Sequence, residues 1–205
     1  TGCTTGTPAA DGTPCDDGQS CTESDACTTG TCLGTPLDCD DADAATMDLC
    51  LESTGCLHCA PLSAVRLSLR FPAPARGGRF TASGGFVPAT AFDPAAPAGT
   101  DLLIHDGATV VQQSHVAASG FTLSGGGTVA RFVDRSGTTA QGLERLRIKT
   151  ASPGARHQFS ASGRPFDSAL PRHTPRSLTL RAGATCATTT LSCTPSAGGT
   201  SDRCK

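Results

Sequence analysis

The chain contains no tryptophan, no tyrosine and no asparagine, and only one methionine. Lysine and arginine are absent from its first 60 residues. Without asparagine there is no N-linked glycosylation sequon. Without Trp or Tyr, the eight phenylalanines must supply the large core side chains, and few aromatic faces remain on which bases could stack. No run approaches the ~18 apolar residues of a membrane-spanning helix. Gly-x-Ser-x-Gly, His-Glu-x-x-His and a phosphate-cradling loop are also missing, and the run Gly125-Gly126-Gly127 lacks the strand-to-helix context of a nucleotide site. No charged n-region or apolar h-region precedes Thr1, so the expectation is a mature, soluble, processed chain.

The missing basic residues are all found later. Residues 1–60 hold eleven acids and no base, a formal −11, whereas the remainder holds sixteen bases and seven acids, a formal +9. The total of −2 therefore conceals two modules of opposite sign. Opposite charges on one subunit attract between copies within a Debye length of roughly 8–10 Å, and such heterologous contacts build rings or filaments. The alternatives are cations that neutralise the acidic module, or modules that fold against each other within one chain.

Nine of the twelve cysteines lie between Cys3 and Cys59, flanked by Gly, Thr, Pro and Asp. That density reads as a disulfide framework, hence an exported protein, extracellular or at the cell surface. The other three are Cys186, Cys193 and Cys204. Two odd sets cannot both close internally, so full oxidation demands an odd number of bridges between them. Cys186 and Cys193 bracket a short Thr-rich loop and can pair with each other, which would leave Cys204 as the long-range candidate, with Cys3 or Cys59 as its partner; the sequence does not fix the connectivity. One free thiol at each end is the alternative.

Within the acidic module, Cys15-Asp16-Asp17-Gly18, Cys21-Thr22, Asp25, Cys27, Gly30 and Cys32 recur as Cys39-Asp40-Asp41-Ala42, Ala45-Thr46, Asp48, Cys50, Gly55 and Cys56. Gly2-Cys3 with Gly6-Thr7-Pro8 echoes Thr31-Cys32 with Gly34-Thr35-Pro36, as though a preceding unit ended there. The pattern resembles the Cys-Asp-Asp-Gly cysteine repeats of secreted bacterial proteins, notably of myxobacteria and their relatives, and is similar to the cysteine repeats of slime-mould extracellular-matrix proteins. The resemblance covers residues 3–60 and implies an extracellular or matrix setting, not a reaction. Ala45 stands where the first copy has Cys21, so one bridge must be rewired, with Cys59 as the spare cysteine.

Crowded carboxylates in a coreless loop repel one another. Asp16, Asp17 and Asp25 in the first copy, and Asp40, Asp41, Asp43 and Asp48 in the second, are therefore candidate ligands for a structural calcium ion, which takes six to eight oxygens in flexible geometry. The competing reading is that they accept hydrogen bonds from nearby backbone amides in Asx-turns. Cys56-Leu57-His58-Cys59 has zinc-like spacing but no obvious second pair, and haem attachment would need the histidine after the second cysteine.

From Pro61 onward, period-two alternation predicts strands. Val65, Leu67, Leu69 and Phe71 alternate with Arg66, Ser68 and Arg70; Leu146 and Ile148 with Arg145, Arg147 and Lys149; Leu178 and Leu180 with Ser177, Thr179 and Arg181. The arginines are placed outward. Hairpin turns are expected at Asp106-Gly107, Asp134 to Gly137 and Ser152-Pro153-Gly154, and a long surface loop within Pro72 to Pro97. The fold class is mainly β: a small, irregular, disulfide-rich module over 1–60, an antiparallel β-sandwich over 61–185 and a cysteine-containing tail over 186–205. His105, His115, His157 and His173 read as solvated or hydrogen-bonded surface groups, with an Asp167–His173 pair in reach but no nucleophile beside it.

These features point to a non-enzymatic extracellular structural protein that assembles head to tail with copies of itself into a filament or matrix fibre, stabilised by disulfides and calcium. The alternative is a carbohydrate-binding or adhesive module of a larger secreted protein. The basic module suits an acidic polysaccharide better than nucleic acid, and Thr188-Thr189-Thr190 offers sites for O-linked glycans.

Overall fold

Alternating burial turns most of the chain into strands. The computed structural model describes residues 3, 9–52, 54–71, 78–88, 90–106, 109–152, 154–164 and 174–205. They fall into two units, Thr1–His58 and Cys59–Lys205.

The first unit is built on β1 (Thr22–Thr28), β2 (Thr31–Pro36), β3 (Met47–Leu51) and the start of β4 (Gly55–Pro61). Strands β1 and β2 form a hairpin closed by Thr29 and Gly30, both at positive φ (48° and 81°), the geometry of a two-residue primed turn. Cys27 and Cys32 sit opposite each other in this hairpin yet do not bridge; Cys27 reaches Cys3 and Cys32 reaches Cys15. The second repeat copies the latter bridge as Cys39–Cys56, with the same separation of 17 residues. Cys21, the cysteine without a counterpart, joins Cys50 and so ties the repeats together. The rewired bridge thus lies between copies, and Cys59 takes no part in it.

The second unit is the sandwich. Its larger sheet runs β15 (Cys193–Pro195), β16 (Ser201–Cys204), β5 (Ser63–Arg70), β6 (Arg79–Phe86), β12 (His157–Gly163), β11 (Leu143–Lys149), β10 (Val129–Val133) and β9 (Thr122–Ser124). The facing sheet contains β14 (Thr185–Leu191), β13 (Arg176–Ala182), β7 (Thr100–Asp106) and β8 (Thr109–Val116). The last residues of β4 add to β14 in parallel, Ala60 opposite Ala187 and Pro61 opposite Thr188; every other described pairing is antiparallel. Leu67, Leu69, Phe80, Phe132, Leu146, Ile148 and Phe159 of the large sheet pack on Leu102, Ile104, Leu178 and Leu180 of the other. Burial of each such side chain contributes roughly 1.5–3 kcal/mol. Six of the eight phenylalanines are buried in this core.

The strands that flank the three expected turns pair antiparallel, although Gly107 and Pro153 themselves lie outside the described residues. The β9–β10 hairpin turns through Gly125, Gly126 and Gly127, all at positive φ, which explains the triple glycine. Strand β6 lies inside the Pro72 to Pro97 stretch, whose residues 72–77 are outside the described residues, as are Asp167 and His173.

Several expectations are corrected. Cys186 does not pair with Cys193, nor Cys204 with Cys3 or Cys59: Cys59 bridges Cys186, and Cys193 bridges Cys204. The sheets dictate this, because β14 and β15 belong to different layers while Cys193 and Cys204 are direct partners across β15 and β16. One bridge still joins the two cysteine sets, as parity required, and none is free. Residues 186–205 are not a tail but strands of both sheets. His105 and His157 are 1% and 3% exposed, not solvated, because β7 is buried on both faces and His157 packs beside Phe86 and Phe92. Thr179 and Thr188 are likewise buried and hydrogen-bond each other at 2.7 Å, so Thr188 is closed to O-glycosylation while Thr190 is exposed.

Candidate functional site: a basic sheet face and two acidic loops

Strand alternation sorts the large sheet into a buried layer and an exposed one. Arg66, Arg70, Arg79, Arg131, Arg145, Arg147, Lys149 and Arg203 are all exposed, whereas their neighbours Leu67, Leu69, Phe80, Phe132, Leu146, Ile148 and Cys204 are buried. The register lines these groups up across strands. One row reads Arg203, Ser68, Thr81, Ser162, Arg145; the next reads Arg66, Ser83, Ser160, Arg147, Arg131. The two central strands, β6 and β12, thus supply short hydroxyl side chains, and the strands on either side supply guanidiniums. The consequence is a hydroxyl floor between arginine walls.

Three hollows open on this face, of about 560, 470 and 640 Å³. The first gathers Arg70, Arg79, Arg135, Arg145 and Arg164 around one acid, Glu144, which is ion-paired with Arg164. Guanidinium forks bind carboxylates and sulfates through paired N–H donors. Among the described residues, no aromatic side chain but Phe80 and Phe132 lines these hollows, which favours anion recognition over ring stacking.

In the first acidic loop, Asp16, Asp17 and Asp25 come together, one oxygen of each lying within 4.8 Å of the others. Gly18 N donates to Asp16 Oδ1 at 2.8 Å and Gln19 N to Asp17 Oδ1 at 2.9 Å, so the Asx-turn reading is realised. The Gln19 amide, assisted by the Thr22 hydroxyl, holds the Asp17 carboxyl below the usual carboxylate range. Asp17 N donates to Asp25 Oδ2 at 2.9 Å, but the other Asp25 oxygen is sealed from solvent and accepts nothing among the described residues. Gly34 makes room for it: a Cβ there would collide with Asp25 Oδ1 and lie 2.6 Å from Thr22 Cβ. An all-oxygen donor set with one unused oxygen fits a hard cation such as calcium.

The second loop is arranged differently. Asp40 and Asp43 accept the amides of Ala42 and Ala45 at 2.8 and 2.9 Å, outside any cluster. Asp41 and Asp48 converge instead on His58, whose Nδ1 lies 2.9 Å from Asp48 Oδ1 and 3.3 Å from Asp41 Oδ2. The hydrogen bond to Asp48, then the charge of Asp41, raise the His58 pKa, while the Asp43 amide lowers that of Asp41. His58 occupies the place of Gly34 in the repeat, 24 residues on. That alignment was the available signal for His58.

A further carboxylate, Asp101, is 5% exposed and accepts Arg181 Nε and Nη2 at 3.1 and 2.9 Å, with His115 Nδ1 at 2.8 Å from its other oxygen. This clamp joins β7, β13 and β8 within their sheet, and its described members, Arg181 and His115, include no nucleophile. No protein-family model, no curated protein and no solved structure matches the chain.

Proposed function

We propose that the chain is a non-enzymatic extracellular structural protein that polymerises head to tail into a filament or matrix fibre, the acidic unit of one copy meeting the basic sheet face of the next. The observation that carries this reading is charge complementarity: eight exposed cations on one sheet face, in a chain whose first 58 residues contain none. A heterologous contact of this type leaves a free face at each end, so growth continues unless rotation closes a ring. Six disulfides suit an oxidising setting outside the cell, and among the described residues no helix is long and apolar enough to cross a membrane. Calcium on Asp16, Asp17 and Asp25 is the proposed stabiliser of the first unit.

The hydroxyl floor of Thr81, Ser83, Ser160 and Ser162 favours a second reading, an adhesive module holding an acidic polysaccharide between the arginine walls. Electron microscopy and sedimentation of the purified chain separate the two. Polymers that form at low salt, assemble more slowly as salt rises, and fail with Arg145→Glu/Arg147→Glu support the filament. A chain that stays monomeric at high concentration and low salt, with calcium present and disulfides intact, leaves the adhesive module.

A further inference from the structure

The assembly reading leaves open which acids enter the basic face and where, and the structure narrows both. The 560 Å³ hollow holds the densest group of guanidiniums on the face. With Arg164 taken by Glu144, Arg70, Arg79, Arg135 and Arg145 have no carboxylate partner among the described ion pairs. Four cations left unpaired around one concavity repel one another, and a cluster of carboxylates relieves that repulsion.

The first unit offers two acidic loops, of unequal availability. In the first, Asp17 and Asp25 are only partly exposed and Asp17 spends both oxygens on Gln19 and Thr22. In the second, Asp38, Asp40, Asp41 and Asp43 fall within six residues and all are exposed. His58 engages Asp41. Asp38, Asp40 and Asp43 each accept one amide two residues onward through Oδ1, at 3.1, 2.8 and 2.9 Å, and their second oxygens are uncommitted among the described hydrogen bonds. Those successive turns already fix the backbone, so docking this loop orders little additional chain.

We propose that the Asp38–Asp43 loop of one copy docks into the Arg70, Arg79, Arg135 and Arg145 hollow of the next, and that this contact is the repeating joint of the polymer. It rests on the assembly reading, and its partner is a second copy of this chain.

The test uses two variants of the full, oxidised chain. Asp38→Asn/Asp40→Asn/Asp43→Asn removes three of the loop's four negative charges, leaving Asp41 to His58, but keeps the Oδ1 acceptors that hold its turns. Arg79→Glu/Arg145→Glu reverses the hollow; should it misfold by circular dichroism, Arg70→Gln/Arg79→Gln replaces it. Each variant alone is expected to need at least tenfold more protein to polymerise at low salt. An equimolar mixture is expected to stop at dimers by mass photometry, since one variant retains a working hollow and the other a working loop. If the loop variant polymerises like the wild type while the hollow variant does not, the docking assignment is overturned and the assembly reading stands. If both polymerise like the wild type, or if the wild type stays monomeric and binds alginate or a sulfated polysaccharide instead, the docking assignment and the basic-face joint fall together.

Discussion

Cys59 and Cys186 are bridged across 127 residues of sequence, their Cα atoms 4.8 Å apart where the end of β4 runs parallel to β14. The parallel ladder there is short. Ala60 and Pro61 face Ala187 and Thr188, and just beyond them Leu62 N donates to Thr188 O at 2.8 Å. So few backbone bonds hold the start of the sandwich weakly on their own, and the covalent link fixes the register they need.

Loop size sets the expected cost of losing this bridge. On the chain-entropy account, opening a loop of this length costs ~5 kcal/mol, against ~3 kcal/mol for the Cys193–Cys204 loop, whose separation is 11 residues. Cys59→Ser/Cys186→Ser should therefore lose roughly 2 kcal/mol more than Cys193→Ser/Cys204→Ser in urea unfolding under non-reducing conditions. Equal losses would show that strand contacts, not loop closure, determine the effect.

Acid should weaken the sandwich through His105. Burial pushes its pKa down to about 4 from an ordinary 6.5, so between those values the unfolded chain binds a proton that the folded chain refuses. The contribution is complete above pH ~6.5 and is lost as pH falls toward 4, by up to ~3 kcal/mol. Burial shifts His157 the same way. His105→Leu should flatten the dependence of stability on pH between 6.5 and 4.5, measured by denaturant midpoints; an unchanged slope would rule His105 out as its source.

The strands were legible because their faces differ: Leu67 beside Arg66, and Ile148 beside Arg147, can satisfy one buried and one wet surface only in extended chain. Strand β7 hides this signal, since Thr100 to His105 are buried on both sides and alternation has nothing to record. That is why His105 read as a surface group. The cysteine pairing failed for a related reason. Closeness in sequence favours Cys186 with Cys193, but layer membership, which depends on long-range pairing, separates them. Asp16, Asp17 and Asp25 were recoverable from spacing alone, whereas the basic face needed the register of six strands to bring Arg203 and Arg131 onto one surface.

At one edge of the core, Arg176 is 1% exposed and its Nη1 lies 2.6 Å from Asp106 Oδ2. Removing Asp106 takes a counter-charge from a guanidinium that solvent cannot reach, whereas Asp106 is 28% exposed and is solvated once Arg176 is gone. Asp106→Asn is expected to cost ~2–4 kcal/mol, and Arg176→Met less, because an apolar chain of similar length fills the space without a stranded charge. Thermal unfolding of both variants decides the order; Arg176→Met as the more damaging change would mean that other contacts of the guanidinium outweigh the ion pair.

Calcium should bind the first acidic loop through the Asp25 oxygen that lacks a partner among the described residues. Binding to the folded form alone adds RT ln(1 + [L]/Kd), about 2.7 kcal/mol at a hundredfold excess over Kd. Asp25→Asn should abolish this gain and Asp16→Asn should weaken it. Asp11→Asn should leave it intact, because Asp11 lies outside the cluster and accepts the Thr29 amide at 2.7 Å. Gly34→Ala should also weaken binding, since its Cβ would displace the Asp25 carboxylate. At Asp41 and Asp48 the imidazole of His58 already supplies the counter-charge, and its raised pKa extends that role upward in pH, so a second calcium there should bind more weakly, most of all below neutral pH. Calorimetric titration checks the set: no heat from the wild-type chain, or an unchanged isotherm for Asp25→Asn, would return these aspartates to turn formation alone.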